Sequence, residues 1–144
     1  MTDAQDIQKT LSTYSYSASV RDWDLMLSTF MPDASWEVAG TKLRLKGHAE
    51  LRATISKLVE AMDYLVQMNA PAIIEINGDE AKARSVIREA GKMRSSAEWI
   101  DIVGTYEDRL VRTPAGWRFL HRTFTPIGSA QMPILEREKL RLEK

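Results

Sequence analysis

The sequence predicts an α+β fold in which three N-terminal helices pack on a curved, mostly antiparallel sheet. Up to about residue 62, apolar residues mostly recur every three or four positions, the repeat of an amphipathic helix. From Tyr64 onward they alternate with polar residues, as in half-buried strands. The stretch Gly104–Arg122 indicates two long strands joined at Thr113–Gly116, where a proline fixes one negative φ and a glycine can take a positive one.

The composition is typical of one globular domain, since 44% of the 144 residues are hydrophobic and 28% are charged. Twenty basic residues balance twenty acidic ones, so the charge predicts neither a nucleic-acid partner nor a membrane partner. The absence of cysteine excludes disulfides, thiolate metal sites and a cysteine nucleophile. The polar start is unlike a signal peptide and no apolar run approaches about 18 residues, so the expected location is the cytoplasm.

The helical repeat marks three segments in the first half of the chain. The first covers residues 3–20, with Thr2 or Asp3 as its cap, and carries one apolar stripe of Ile7, Leu11, Tyr14 and Ala18. The second is capped by Asp22, ends before Pro32 and repeats Trp23, Met26, Leu27 and Phe30. The third covers about residues 48–62.

The strands follow from alternation and from turn residues. Short strands are predicted at residues 35–39 and 43–46, and a long one at 64–76, with a bend or bulge at Ala70-Pro71. Asn77-Gly78-Asp79 predicts a hairpin turn into a strand at 81–89, followed by a polar loop at 91–97 and strands at 99–112 and 117–125. The predicted domain therefore covers residues 1–128, and residues 129–144 form a tail that is predicted to be helical from Ile134 to Leu142.

Five short motifs occur in an order that is known from one protein family. They span roughly residues 5–125 and are Tyr14…Arg21-Asp22-Trp23-Asp24…Phe30…Asp33-Ala34, Gly47 before a helix, Asn77-Gly78-Asp79-Glu80-Ala81, Gly104-Thr105-Tyr106-Glu107-Asp108 and Gly116-Trp117-Arg118…Arg122. In this order they resemble the SnoaL-like proteins of the nuclear-transport-factor-2-like superfamily. That fold hosts dehydratases, isomerases, cyclases, epoxide hydrolases and non-enzymatic binders, so the resemblance concerns the fold more than the reaction.

The resemblance implies a cystatin-like cone with an apolar pocket between the inner face of the sheet and the helices, often in a homodimer. Dehydratases of this kind use an Asp late in the first helix and a His on the strand after the third helix. Ser19 and Leu65 stand at those two positions here. Asn69 matches a frequent family Asn and is expected to bond a ligand carbonyl or a backbone group.

Three residues are the candidates for catalysis. Glu89 shares strand parity with Ala83 and Ile87, so its carboxyl is expected to face an apolar interior and to have a raised pKa. The alternative is that the strand bulges there, which would turn Glu89 to solvent or pair it with Arg94. Asp108 shares a face with Tyr106, whose hydroxyl could hold or protonate an oxygen.

The alternative role of Asp108 is structural, as the partner of Arg122 or Arg84 on a neighbouring strand. His121 would face inward, as a proton shuttle, if Trp117 and Phe119 are core residues. If Leu120 and Phe124 are core residues instead, His121 is on the surface and Arg122 points inward. Alternation alone leaves both arrangements open.

Metal and nucleotide sites are not predicted. His48 is expected to be exposed, and two histidines without an HxxxH or HxxE cluster make no metal site. No phosphate-binding loop, GxSxG elbow or nucleotide fingerprint is present, and no cofactor is expected.

Together with these candidate residues, the resemblance implies a small-molecule enzyme of the dehydratase, isomerase or cyclase type that uses acid–base chemistry on an apolar, oxygenated ligand. The residues expected to bind the substrate are Tyr14, Ser19, Trp23, Trp36, Leu65, Asn69, Tyr106 and Arg122. The aromatic members could equally be plain core residues. The alternative function is a non-catalytic module of the same fold that binds a ligand or forms a dimer.

Overall fold

A computed structural model describes residues 1–134 as helices packed on one face of a single sheet. The elements, in chain order, are α1 (Asp3–Val20), α2 (Trp23–Ser28), β1 (Phe30–Val38), β2 (Arg44–Lys46), α3 (Gly47–Glu60), β3 (Met62–Asn69), β4 (Ile73–Asn77), β5 (Glu80–Met93), β6 (Glu98–Thr113) and β7 (Gly116–Pro133). Within the described residues, no helix is both long enough and apolar enough to cross a membrane.

The first two helices begin where the sequence places cap residues. The Thr2 side chain accepts a hydrogen bond from the backbone N–H of Gln5, and the Gln5 side chain accepts one from the backbone of Thr2, a capping box. The C-cap residue Arg21 has a φ of 62°, a left-handed conformation in which the chain can turn directly into α2. The Asp22 side chain then accepts a hydrogen bond from the backbone of Leu25 and caps α2.

The sheet has the strand order β2-β1-β7-β6-β5-β3, and β4 pairs with β5 beside this path. Strand β1 runs parallel to β7, and the other described pairs are antiparallel. The face that meets α1 and α3 is called the inner face here, and the opposite face the outer face. On β5 the inner face begins with Ala81, Ala83 and Ile87, all of which are buried. The alternation predicted for this strand is confirmed.

Two glycines let the strands approach closely where the sheet bends. A Cβ on Gly91 would lie 2.1 Å from the carbonyl oxygen of Tyr64, and one on Gly104 would lie 2.6 Å from a ring carbon of Phe124. The pairing of β6 with β7 shifts register beside Gly104, as expected for a bulge in a curved sheet. Both contacts require the absence of a side chain.

Several predicted boundaries change. Helix α2 ends at Ser28 and strand β1 already begins at Phe30, with Pro32 inside an irregular part of the β1–β7 pairing. Met62 starts β3 instead of ending α3. The predicted end of the last strand at residue 125 is wrong, because β7 continues to Pro133, which pairs with Glu98 of β6. Apart from Ile134, the predicted terminal helix lies outside the described residues.

Candidate functional site

A pocket of about 240 Å³ lies between the inner face of the sheet and helices α1 and α3. It is lined by Tyr14, Trp36, Val38, Leu43, Ile55, Leu58, Val59, Met62, Leu65, Gln67, Glu89, Ile102, Tyr106 and Phe124. Apart from a carboxyl, an amide and two tyrosine hydroxyls, these side chains are almost entirely apolar. Such a lining suits an apolar ligand that carries one or a few polar atoms.

Glu89 is the ionisable acid in this lining. The alternation of β5 carries its side chain to the inner face, as Ala83 and Ile87 predict. Burial among apolar side chains raises the pKa of Glu89 to about 7, although the positive charge of Arg122 opposes the shift. At neutral pH the carboxyl therefore occupies both protonation states, which a group that takes up and returns protons needs.

Gln67 holds this carboxyl and, unlike the apolar lining residues that the sequence analysis also missed, it brings a polar group to the pocket. Its side-chain nitrogen donates a hydrogen bond of 2.8 Å to Glu89 Oε1. Strand parity could have found it, because Leu65, Gln67 and Asn69 lie on the same face of β3. Leu65 and Asn69 are both among the predicted binding residues. A glutamine in a strand carries no chemical signature of its own, so parity was the available signal.

Two tyrosines belong to the lining of the pocket. The hydroxyl oxygens of Tyr14 and Tyr106 are 3.4 Å apart, and both side chains are buried. Burial raises the pKa of both phenols, and Arg122 opposes the rise in each case. Both hydroxyls therefore keep their protons at neutral pH and can donate hydrogen bonds to a ligand oxygen.

The guanidinium of Arg122 packs against the rings of Tyr14 and Tyr106. Its guanidinium carbon lies 3.7 Å from the centre of the Tyr106 ring, 4.3 Å from that of Tyr14 and 4.1 Å from that of Phe119. A cation over an aromatic face is attracted to the ring electrons. Arg122 therefore fixes the ring positions and places a positive charge near the two hydroxyls without itself lining the pocket.

Asp108 is the ionic partner of Arg122. Its two carboxyl oxygens accept hydrogen bonds of 2.7 Å from Nε and 3.2 Å from Nη2, and both side chains are buried. Burial raises the pKa of Asp108, while the guanidinium opposes this rise. A neutral Asp108 would leave a buried cation without a counter-charge, so we assign the pair as ionic. This is the structural alternative that the sequence analysis gave for Asp108.

His121 lies on the outer face, away from the pocket. Each of the two arrangements considered from the sequence is partly realised. Arg109 pairs with His121 while the next residue of β6, Leu110, pairs with Phe119, so β7 has one extra residue between the two pairs. The extra residue, Leu120, is a bulge that lets Trp117, Phe119, Arg122 and Phe124 all face the core. His121 hydrogen-bonds to Ser35 through Nδ1, and its Nε2 is 3.3 Å from Glu37 Oε1 and 3.0 Å from Thr123 Oγ1.

The other predicted binding residues divide into two groups. Trp36 and Leu65 line the pocket. Ser19 instead accepts a hydrogen bond from the backbone of Gln67 at 2.9 Å, and Asn69 donates one of 3.3 Å to Ser85. Trp23 packs half-buried against the core and outside the lining. Residues 1–134 contain no group of three or more His, Cys, Asp or Glu side chains arranged to hold a metal ion.

Comparison with known proteins identifies relatives over most of the chain. The family model described as SnoaL-like domain matches residues 1–123. The uncharacterised protein Rv2910c of Mycobacterium tuberculosis is 24% identical over 126 residues, which cover 87% of this chain and 86% of the relative.

Three solved structures from Novosphingobium aromaticivorans share the architecture. One named "putative aromatic ring hydroxylase" has a TM-score of 0.82 at 22% identity and covers 90% of this chain and 93% of its own. An NTF2-like protein with a cystatin-like fold has a TM-score of 0.75 at 23% identity, with coverages of 87% and 82%. One named "Putative Scytalone Dehydratase" has a TM-score of 0.82 at 18% identity and covers 94% of both chains. At these identities the similarity establishes an α+β cystatin-like fold and no reaction.

Proposed function

The chain belongs to the SnoaL-like domain family, and we propose that it is an enzyme that moves protons on an apolar, oxygenated small molecule without a cofactor. The observation that carries the proposal is the carboxyl of Glu89, which lines an apolar pocket and has a pKa of about 7. Tyr14 and Tyr106 bring two hydroxyl donors into the same lining. A base and an oxygen-binding pair in one apolar pocket are what proton abstraction beside a carbonyl requires.

In the proposed reaction Glu89 takes a proton from the carbon next to a carbonyl group. The C–H bonding electrons move toward the carbonyl, and the negative charge that develops on its oxygen is stabilised by the tyrosine hydroxyls. The protonated Glu89 then gives the proton back. Return to the γ-carbon of a β,γ-unsaturated ketone completes an isomerisation, and return to a departing β-hydroxyl releases water and completes a dehydration. One structural neighbour carries a dehydratase name, which agrees with the second outcome.

The test is turnover of a panel of β,γ-unsaturated and β-hydroxy ketones that carry apolar rings. Both classes yield a conjugated enone, whose appearance is followed by ultraviolet absorbance. We expect kcat/KM to rise with pH through about 7, because the base must start as the carboxylate. Turnover that does not change between pH 5 and pH 9 (values of about these magnitudes bracket the titration) would contradict the assignment of Glu89 as the base.

A non-catalytic binding module is the second candidate function. It is favoured by Ser19 and Leu65, which stand where related dehydratases carry their acid and their histidine. Its expected result in the same experiment is that the ketones bind, for instance by quenching tryptophan fluorescence, and that no enone forms.

We also propose that the outer face of the sheet joins two copies of this chain. Val66, Met68, Val86 and Val103 lie on this face on strands β3, β5 and β6, and each is at least 40% exposed. Neighbouring exposed apolar side chains on a sheet face favour association. Light scattering should give twice the chain mass, and Val86→Glu should give the single-chain mass. A wild type with the single-chain mass would contradict this proposal.

A further inference from the structure

The side-chain amide of Gln67 has one partner and one unused atom. Its nitrogen donates to Glu89 Oε1 at 2.8 Å, while its oxygen is buried and has no hydrogen-bond partner among residues 1–134. Gln67 is only 9% exposed. A buried amide oxygen without a donor is destabilising, so its persistence next to the proposed base calls for a reason.

The backbone of Gln67 is fixed, whereas its terminal amide can turn. The backbone N–H donates to Ser19 Oγ at 2.9 Å, and the Ser19 hydroxyl donates to the backbone oxygen of Ser15 in α1 at 2.8 Å. Gln67 is also the register partner of Glu89 across the β3–β5 pair. The last torsion of a glutamine has a broad energy profile, so the amide can exchange its nitrogen and oxygen while the backbone stays in place.

We propose that Gln67 is the positioning residue of Glu89 and that its amide turns over when the carboxyl gains a proton. Toward the carboxylate it presents the N–H donor, as observed. Toward the protonated acid it presents the oxygen, which then accepts the new O–H donor. The partnerless oxygen is thus the acceptor for the other half of the catalytic cycle. This inference rests on the proposed function and adds to it a residue that keeps the base aligned in both states.

The other polar groups that act on Glu89 are already engaged with partners of their own, so they are less free to hydrogen-bond both the carboxylate and the protonated acid. Arg122, from β7, is tied to Asp108, from β6, by two hydrogen bonds. The hydroxyls of Tyr14, from α1, and Tyr106, from β6, face each other at 3.4 Å. Because the pKa of Glu89 is about 7, both of its states are populated at neutral pH, where the turning amide would operate.

The test is a titration of the Gln67 side-chain amide by ¹⁵N and ¹³C NMR on the whole chain, without any substrate. We expect its amide protons and its carbonyl carbon to shift with the same midpoint as the Glu89 carboxyl. Gln8 is the matched control, because its amide oxygen already accepts from the backbone of Ala72 at 3.0 Å. Gln67 signals that stay constant while Glu89 titrates would overturn the inference.

Two variants provide the kinetic arm. Gln67→Met, which keeps the length and loses both polar atoms, should lower kcat about tenfold with little change in KM, because the base is less well aligned. It should move the Glu89 midpoint by less than about 0.5 pH unit, because the amide had served both protonation states. If Gln67→Met raises the Glu89 midpoint by about one pH unit or more, the amide of the wild type donates to the carboxylate only. That result would contradict the proposal that the amide turns.

Gln8→Met is the matched variant and should change neither kcat nor the Glu89 midpoint. The inference and the proposed function fail in different ways. Activity that survives Glu89→Gln contradicts the proposed function, whatever the Gln67 signals do. Gln67 NMR signals that do not shift while Glu89 titrates contradict the inference but leave the proposed function intact.

Discussion

Glu89→Gln is expected to lower kcat/KM by about 10²–10⁴-fold, the range typical for loss of a general base, and also to stabilise the folded protein above pH 7. The substitution keeps the shape of the side chain but cannot take up a proton. It also removes the cost of holding a carboxylate among apolar side chains. Loss of activity together with a gain in stability is the signature of a strained functional group. Replacement of a residue that serves only packing would lower both.

The stability gain should depend on pH in a defined way. The pKa of Glu89 rises from 4.5 to about 7 on folding, so between these values the native state binds more protons than the unfolded state. The free energy of unfolding of the wild type therefore falls, relative to that of the variant, as pH rises through this window, and the difference is constant above it. The full difference is about 3 kcal/mol, and it should vanish below about pH 4.

Urea unfolding of both proteins at several pH values measures this difference. Glu60→Gln is the matched control, because Glu60 is exposed at the end of α3, away from the outer face of the sheet. The control should leave both the activity and the pH dependence of stability unchanged. A Glu89→Gln variant that unfolds at the same urea concentration as the wild type at pH 5 and pH 8 (conditions on either side of about pH 7) would contradict a desolvated carboxyl.

Asp108→Ala is expected to lower the free energy of unfolding by about 3–5 kcal/mol. The substitution leaves the guanidinium of Arg122 as a buried cation between Tyr14, Tyr106 and Phe119, with no carboxylate to balance it. The cost comes mainly from this unpaired charge, since replacement of both partners of a buried pair by apolar residues is often neutral. The double variant Asp108→Leu, Arg122→Met should therefore recover most of the lost stability.

The control for this prediction is an exposed ion pair of the same sheet. Glu75 and Arg84 lie 3.9 Å apart with side chains that are 68% and 58% exposed. Glu75→Ala should cost less than about 1 kcal/mol, because water and salt screen such pairs. Urea unfolding followed by tryptophan fluorescence compares the variants. Equal losses for Asp108→Ala and Glu75→Ala would show that the buried pair does not have the assigned structural role.

The features of the site that the sequence could predict are those that depend on one strand alone. Small and apolar residues at Ala83 and Ile87 fix the inner face of β5, and Glu89 follows by parity. The face of His121 could not be predicted, because the bulge at Leu120 arises from the pairing of β7 with β6. The contact between Tyr14 and Tyr106 joins residues 92 positions apart and depends on how α1 lies on the sheet.

The end of β7 shows a different limit. Pro126 and Gly128 favour an end of the sheet at this point of the sequence, because both residue types usually interrupt strands. Pro126 lies beyond Phe124, the last residue of β7 that is paired with β1, and beyond it β7 pairs with β6. A proline can lie in a strand if its nitrogen faces the side on which no neighbouring strand is hydrogen-bonded. Residues 126–133 could therefore continue the strand although the local sequence argued against it.

The proposed role of Glu89 as the base depends on the pKa of its carboxyl, and titration of this carboxyl is the most direct test of that role. Side-chain ¹³C NMR of the wild type, with the signal assigned by its absence in Glu89→Gln, gives the midpoint without any substrate. We expect a midpoint at a pH of about 7, raised by burial against the opposing charge of Arg122. A midpoint near the ordinary value of 4.5 would show that water reaches the carboxyl and would contradict its role as the base.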